Sequence, residues 1–213
     1  IQSFRLLEAY PERFLQLVQL FSKTAAEVCD GQRMDMDFEK LLQPSIDEYI
    51  EMIKLKTSVL IACALKMGAI VADADEKDAF HLYEFGKNMG IAFQIQDDLL
   101  DTFGDANQVG KKIGGDILQK KKTYLYLKSL ELLSDLEAET LRQLYAHEEI
   151  TDEAAHIAKV KALFKTAHVN VHAEELKLVY QQLAFSHLDA LTIEDKRKKV
   201  LNLFANQLLN RAH

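Results

Sequence analysis

Between Gly90 and Tyr124 the chain reads GIAFQIQDDLLDTFGDANQVGKKIGGDILQKKKTY. Three carboxylates, Asp97, Asp98 and Asp101, fall within five positions, followed by a Gly-rich stretch and the lysines Lys120, Lys121 and Lys122. On a helix, residues three and four apart share a face, so Asp101 stands beside both Asp97 and Asp98. Like charges at that spacing repel by roughly 0.2–0.5 kcal/mol per pair, a cost that a bound cation would relieve. Three acids on one helix face are more often a solvated surface than a metal site. Here Phe93, Ile95, Leu99 and Leu100 surround them, and carboxylates set among bulky hydrophobes need partners.

Mg²⁺ is the natural partner, because this hard ion takes one or two protein carboxylates and completes its shell with water and phosphate oxygens. Zn²⁺ is disfavoured, since no His or Cys lies nearby, and the stretch from Asp101 onward lacks the ligand spacing of an EF-hand. Lys111 follows Gly110, and Gly114 and Gly115 would let the backbone approach a ligand closely. GKKIGGD is not a P-loop, as it has neither the leading Gly at the required spacing nor a Lys-Ser/Thr pair. Lys120 and Lys122 read as a basic helix surface. The segment as a whole points to metal and anion chemistry.

These groups must be positioned by helices. Apolar residues at helical spacing predict a helix over residues 12–29, with Pro11 in its first turn, Gly31 as its stop and residues 35–38 as a short polar connection. Ser45 with Glu48 forms a capping box that opens a second, very apolar and central helix, ending near Gly68. A third runs over residues 77–103. Later helices are expected over 123–133, 135–145, 152–165, 170–191 and 193–211, with caps at Ser134 (with Glu137), Thr151 and Thr192 (with Asp195). The connections are short, so residues 1–213 read as a single helical domain.

Composition agrees. Two prolines and eight glycines in 213 residues leave little to interrupt helices, which sets an all-α prior. The net charge of −7 argues against nucleic acid or an anionic membrane as a general partner, although local basic patches can bind phosphate. The longest apolar run, residues 59–65, falls far short of the ~20 residues of a membrane span, and no signal peptide is visible. Cys29 and Cys63 lack metal-like spacing and read as reduced thiols of a cytoplasmic protein. His81, His147, His156, His168, His172, His187 and His213 read as ordinary helix residues.

FQIQDDLLDTFGD followed by GKKIGGDI and KKTY closely resembles the second aspartate-rich region of the trans-isoprenyl diphosphate synthases, the polyprenyl synthetase family. GQRMD (residues 31–35) is similar to the family's GQxxD, and Lys56-Thr57 to its KT pair. The resemblance is strong over residues 31–127 and weak elsewhere. It implies an isoprenoid synthase type helical bundle, truncated at the N-terminus, and a homodimer. It makes Asp97 a direct Mg²⁺ ligand, with Asp98 and Asp101 holding metal-bound waters or helping the second substrate's site. Lys56, Lys111 and Lys121 would grip an allylic diphosphate, Thr57 and Gln94 would present oxygen dipoles to a developing carbocation, and Gln32 would sit near the cavity lining. The implied reaction joins isopentenyl diphosphate to an allylic diphosphate, with a short product such as farnesyl or geranylgeranyl diphosphate favoured.

Two other readings stay open: a non-catalytic subunit of a heteromeric synthase, and a class I terpene synthase. The intact aspartates weigh against the first, and the joint presence of GQxxD, KT and GK against the second. Nothing before Gly31 resembles the family's first aspartate-rich motif, and the chain opens at Ile1 in helical sequence. The expectation is therefore that the first half is missing and that this chain alone is inactive.

Overall fold

Apolar side chains recur every three to four positions along most of the chain, so each helix has a face to bury, and those faces converge on one central helix. The computed structural model describes residues 5, 7–41, 44–104, 113–146 and 150–209, which form helices with no strand among them. The elements are α1 (Phe14–Lys40), α2 (Ile46–Ile53), a π-helical turn (Lys54–Ser58), α3 (Val59–Val71), α4 (Glu76–Phe103) and the short α5 (Gly115–Leu118). There follow α6 (Tyr124–Leu132), α7 (Asp135–Ala146), α8 (Glu153–Thr166), α9 (Val169–Asp189) and α10 (Asp195–Leu209). The all-α expectation is met.

The central element is α4, the helix that carries the aspartates, packed between α3 and α9. Its first half places Phe85, Met89 and Ala92 against Ala184 and Leu188 of α9 and Ala205 and Leu209 of α10. Its second half places Ile91, Ile95 and Leu99 in a larger core with Tyr49, Met52, Ile53, Leu125 and Phe164. A helix buried on so many sides leaves its acids few routes to water.

The first helix departs most from expectation. It does not stop at Gly31 but runs on to Lys40, and Pro11 lies in a turn ahead of it, with Arg13 as N-cap. The reason is tertiary. A Cβ on Gly31 would lie 2.3 Å from the Lys56 backbone nitrogen, so this glycine serves a close helix crossing rather than a helix end. One turn on, Asp35 pairs with Lys56 and Phe38 is buried, which holds the expected connection helical.

The Ser45–Glu48 capping box is present, as is its counterpart at Ser134 and Glu137. Two expected caps are replaced. Asp152, not Thr151, accepts the Ala155 N–H. Thr192 donates its backbone N–H (2.8 Å) and hydroxyl (2.6 Å) to the buried Asp78 carboxylate, tying the α9–α10 connection to the start of α4. Two histidines read as ordinary are paired: His81 Nδ1 and His187 Nδ1 lie 3.0 Å apart across α4 and α9.

Candidate functional site

The π turn is the local device that shapes the site. One wider turn between α2 and α3 re-aims the side chains that follow it, a common feature of functional positions. Glycine admits it on both flanks: Gly31 of α1 meets the Lys56 backbone, and a Cβ on Gly90 of α4 would lie 2.6 Å from Ser58 Cα. The turn thereby carries Lys56 and Thr57 between α1 and α4. Lys56 Nζ donates to Asp35 Oδ2 at 2.6 Å, and Thr57 Oγ1 donates to Gln94 Oε1 at 3.3 Å.

From Gln94 the polar chain continues inward. Gln94 Nε2 donates to Asp98 Oδ1 at 3.3 Å, and the Tyr49 hydroxyl donates to Asp98 Oδ2 at 2.6 Å. Asp98 is only 4 % exposed, and burial pushes its carboxyl up to about 7. The Tyr49 and Gln94 bonds oppose that rise, while the charges of Asp116 and Asp97 add to it. Burial, with Asp98 beside it, likewise holds the Tyr49 phenol well above its ordinary value.

The three aspartates occupy three different environments. Asp97 is exposed, lines the cavity and has no hydrogen bond or ion pair among the described residues. Asp98 lies behind it, engaged by Tyr49 and Gln94. Asp101 is half-buried and accepts the Asp116 N–H at 2.9 Å, while Asp101 O accepts the Gly114 N–H at 2.7 Å. Burial raises the Asp101 carboxyl and the Asp116 N–H opposes the rise. Asp101 thus holds the chain where it re-enters after the Gly-rich stretch, and it is not among the cavity-lining residues.

That re-entry brings the lysines to the cavity. Lys121 Nζ donates to Asp116 Oδ1 at 2.6 Å. Although burial pulls the Lys121 ammonium down, the Asp116 carboxylate holds it above its ordinary value. Lys122 donates to the Phe38 carbonyl at 3.0 Å and to the Leu41 carbonyl, so it caps the C-terminus of α1 rather than standing on a basic surface. Lys120 also lines the cavity, again contrary to the surface reading.

The resulting cavity, about 680 Å³ with its mouth included, has Met52, Ile53 and Phe38 as apolar wall. Its polar wall comprises Lys56, Gln94, Asp97, Asp98, Asp116 and Lys121. Of the residues expected from sequence, Lys56, Gln94, Asp97, Asp98 and Lys121 are brought together, and Thr57 joins them through Gln94. Gln32 is exposed and outside the lining, because Gly31 and Asp35 turn that face of α1 to the π turn and Gln32 away from it. Lys111 lies outside the described residues.

Sequence reasoning missed Tyr49, which reads as one more apolar position of α2. Asp116 and Asp35 appear in sequence only within the resembling motifs, and their pairing with Lys121 and Lys56 is visible only in three dimensions.

The donor set suits a hard divalent ion. Asp97 offers a carboxylate with no competing partner, Asp98 and Asp101 are engaged by the protein, and no group of three or more His, Cys, Asp or Glu converges among the described residues. One carboxylate facing a lysine-lined space is the arrangement expected of an ion that draws its other ligands from water and phosphate.

Comparison with known proteins places the chain in a family. A family model described as polyprenyl synthetase matches residues 1–165. A short chain isoprenyl diphosphate synthase of Methanothermobacter thermautotrophicus is 33% identical over 190 residues, covering 89% of this chain and 57% of that protein. A geranylgeranyl pyrophosphate synthase of Geoglobus acetivorans is 34% identical over 206 residues, covering 97% of this chain and 61% of that protein. A crystal structure of a geranylgeranyl pyrophosphate synthase superposes with a TM-score of 0.91 at 44% identity, covering 99% of this chain and 65% of that one. The chain spans about three fifths of the length of these two curated relatives.

Proposed function

The chain belongs to the polyprenyl synthetase family, and from that premise we propose that its cavity binds an allylic diphosphate for condensation with isopentenyl diphosphate, yielding a short-chain prenyl diphosphate. The observation that carries the reading is the juxtaposition of the Asp97 carboxylate, without a partner among the described residues, with Lys56 and Lys121 around one partly apolar cavity. Members of the family use divalent metal ions, and Mg²⁺ is the ion this reading assigns. Held by Asp97, with Asp98 behind it, the ion would neutralise diphosphate charge as the leaving group departs.

The chain's own groups account for the rest. Lys56 and Lys121 each rest against a carboxylate, so an incoming diphosphate exchanges those pairings for its own oxygens without an unpaired buried cation in between. Lys111 joins them on the family resemblance. As the allylic C–O bond breaks, its electron pair leaves with the diphosphate, and Thr57 and Gln94 present oxygen dipoles to the positive carbon. The double-bond electrons of isopentenyl diphosphate form the new C–C bond, and the proton then lost passes to the released diphosphate. No side chain needs to act as nucleophile. Homodimerisation and a cytoplasmic location belong to the same proposal and rest on the family resemblance.

Titration of the chain with inorganic diphosphate in the presence of Mg²⁺ tests the clamp directly. Binding is expected, weakened by Lys56→Ala or Lys121→Ala and abolished by Asp97→Ala; binding that survives Asp97→Ala unchanged overturns the metal assignment. In a prenyl-transfer assay of the intact protein, Asp97→Ala is expected to lower the rate by ~10²-fold or more, the scale for removing electrostatic stabilisation of a transition state.

A further inference from the structure

Exposed apolar side chains occur on several helices, but on α10 they coincide with a run of cations. Val200 (69 % exposed), Leu203 (60 %) and Phe204 (52 %) occupy positions i, i+3 and i+4, so they form one outward stripe. The opposite side of the helix is seated in the core through Ala205 and Leu209. Lys196 lies one turn before Val200 on the stripe, with the exposed Arg197 and Lys199 on either side of it. None of these three cations has an ion pair among the described residues, whereas Lys198 is turned aside and donates to the Asp189 carbonyl at 2.9 Å.

Residues 195–209 carry four basic residues and one acid in a chain whose net charge is −7. Cations in the first turns of a helix also oppose its dipole, so their placement is unfavourable without an external anion.

We propose that α10 docks on a bilayer surface bearing anionic lipid headgroups, with Val200, Leu203 and Phe204 entering the acyl boundary and Lys196, Arg197 and Lys199 meeting the headgroups. A helix with an apolar stripe, flanking cations and a well-anchored reverse side is suited to lie in that interface. The overall negative charge does not forbid this, because charges more than ~8–10 Å from the surface are largely screened at physiological salt. A second copy of the chain is a poorer occupant. Among the described residues the outward stripe offers only Gln207 beyond Phe204, and the acids Glu194 and Asp195 lie off it, so a copied face supplies no partner for the cations. At Leu136, 79 % exposed, the coincidence is missing, because it stands between Asp135 and Glu137.

Flotation of the full chain with vesicles tests the proposal. Binding is expected to vesicles of phosphatidylcholine mixed with phosphatidylglycerol, to weaken as salt is raised, and to be absent with phosphatidylcholine alone. Lys196→Gln with Arg197→Gln and Lys199→Gln, and separately Leu203→Gln with Phe204→Gln, are each expected to reduce binding about tenfold or more. The chain has no tryptophan, so Phe204→Trp adds a single reporter whose emission is expected to shift to the blue on anionic vesicles alone. Absence of flotation, or flotation unchanged in both sets of variants, overturns the proposal. So does a concentration-dependent dimer that Leu203→Gln abolishes, which would assign the stripe to a second copy.

Discussion

Asp98 shows how strongly one residue's chemistry depends on its surroundings. Its neighbour Asp97 is exposed at the cavity, whereas Asp98, pushed up to about 7 by burial, is near its midpoint at neutral pH. A carboxyl raised above its ordinary 3.8 binds protons more tightly in the folded chain than in the unfolded one. Its contribution to stability is therefore complete below about pH 4 and is lost as pH rises through about 7. In EDTA, the melting temperature is expected to fall between pH 5.5 and pH 8 by an amount that Asp98→Asn removes. Identical pH dependence in the wild type and this variant would sink the assignment. Tyr49→Phe removes a bond that holds the Asp98 carboxyl down, so the same fall is expected to move to higher pH. Loss of a buried hydroxyl hydrogen bond is also expected to cost ~1–2 kcal/mol, read by urea denaturation.

At the scale of elements, the π turn matters most, because it is held between two helices that approach only through glycine. Gly90→Ala would put a methyl group 2.6 Å from the Ser58 backbone, which cannot yield as a side-chain tip can. We expect ~1–3 kcal/mol of destabilisation and weakened diphosphate binding, since Lys56 and Thr57 ride on that turn. Gly68 of α3 is the control: a Cβ there meets nothing within 4 Å. Gly68→Ala is expected to stabilise by ~0.5–1 kcal/mol through helix propensity alone. Equal effects of the two substitutions on melting temperature would show that packing at the π turn is not the cause. The segment around α5 depends in the same way on Asp101, which accepts backbone N–H at the re-entry and so fixes where Asp116 and Lys121 stand.

Across the whole molecule, α4 joins two cores, one behind the cavity and one shared with α9 and α10. The second is closed by the Asp78–Thr192 link, whose partners are separated by 114 residues in sequence. Asp78→Ala removes the buried carboxylate that accepts both hydrogen bonds of the exposed Thr192. It is expected to cost ~1–3 kcal/mol and to raise amide exchange in α10 more than in α2. Uniform exchange across both helices would mean that the link serves global stability and not the seating of α10. If α10 docks on a bilayer, this link also holds its outward stripe in place.

Much of this protein is legible in one dimension, for a definite reason. Helix periodicity and caps are local, so α4 and the helices from α6 onward begin and end close to where apolar spacing and Ser134 place them, whereas α5 falls in the stretch read as a Gly-rich loop. Residue types with a strong chemical preference are legible too: aspartates three and four apart beside a lysine run indicate metal and anion chemistry, and the family resemblance adds the Lys56-Thr57 pair and the diphosphate. Only the tertiary structure decided which groups face the cavity. Gly31 reads locally as a helix stop and is a crossing point, and Gln32 shares its motif yet faces away. Lys122 reads as surface and caps α1, and Tyr49 reads as core and donates to Asp98. Each of those outcomes is set by a partner 21 to 84 residues away, and a local pattern carries no information about contacts at that range.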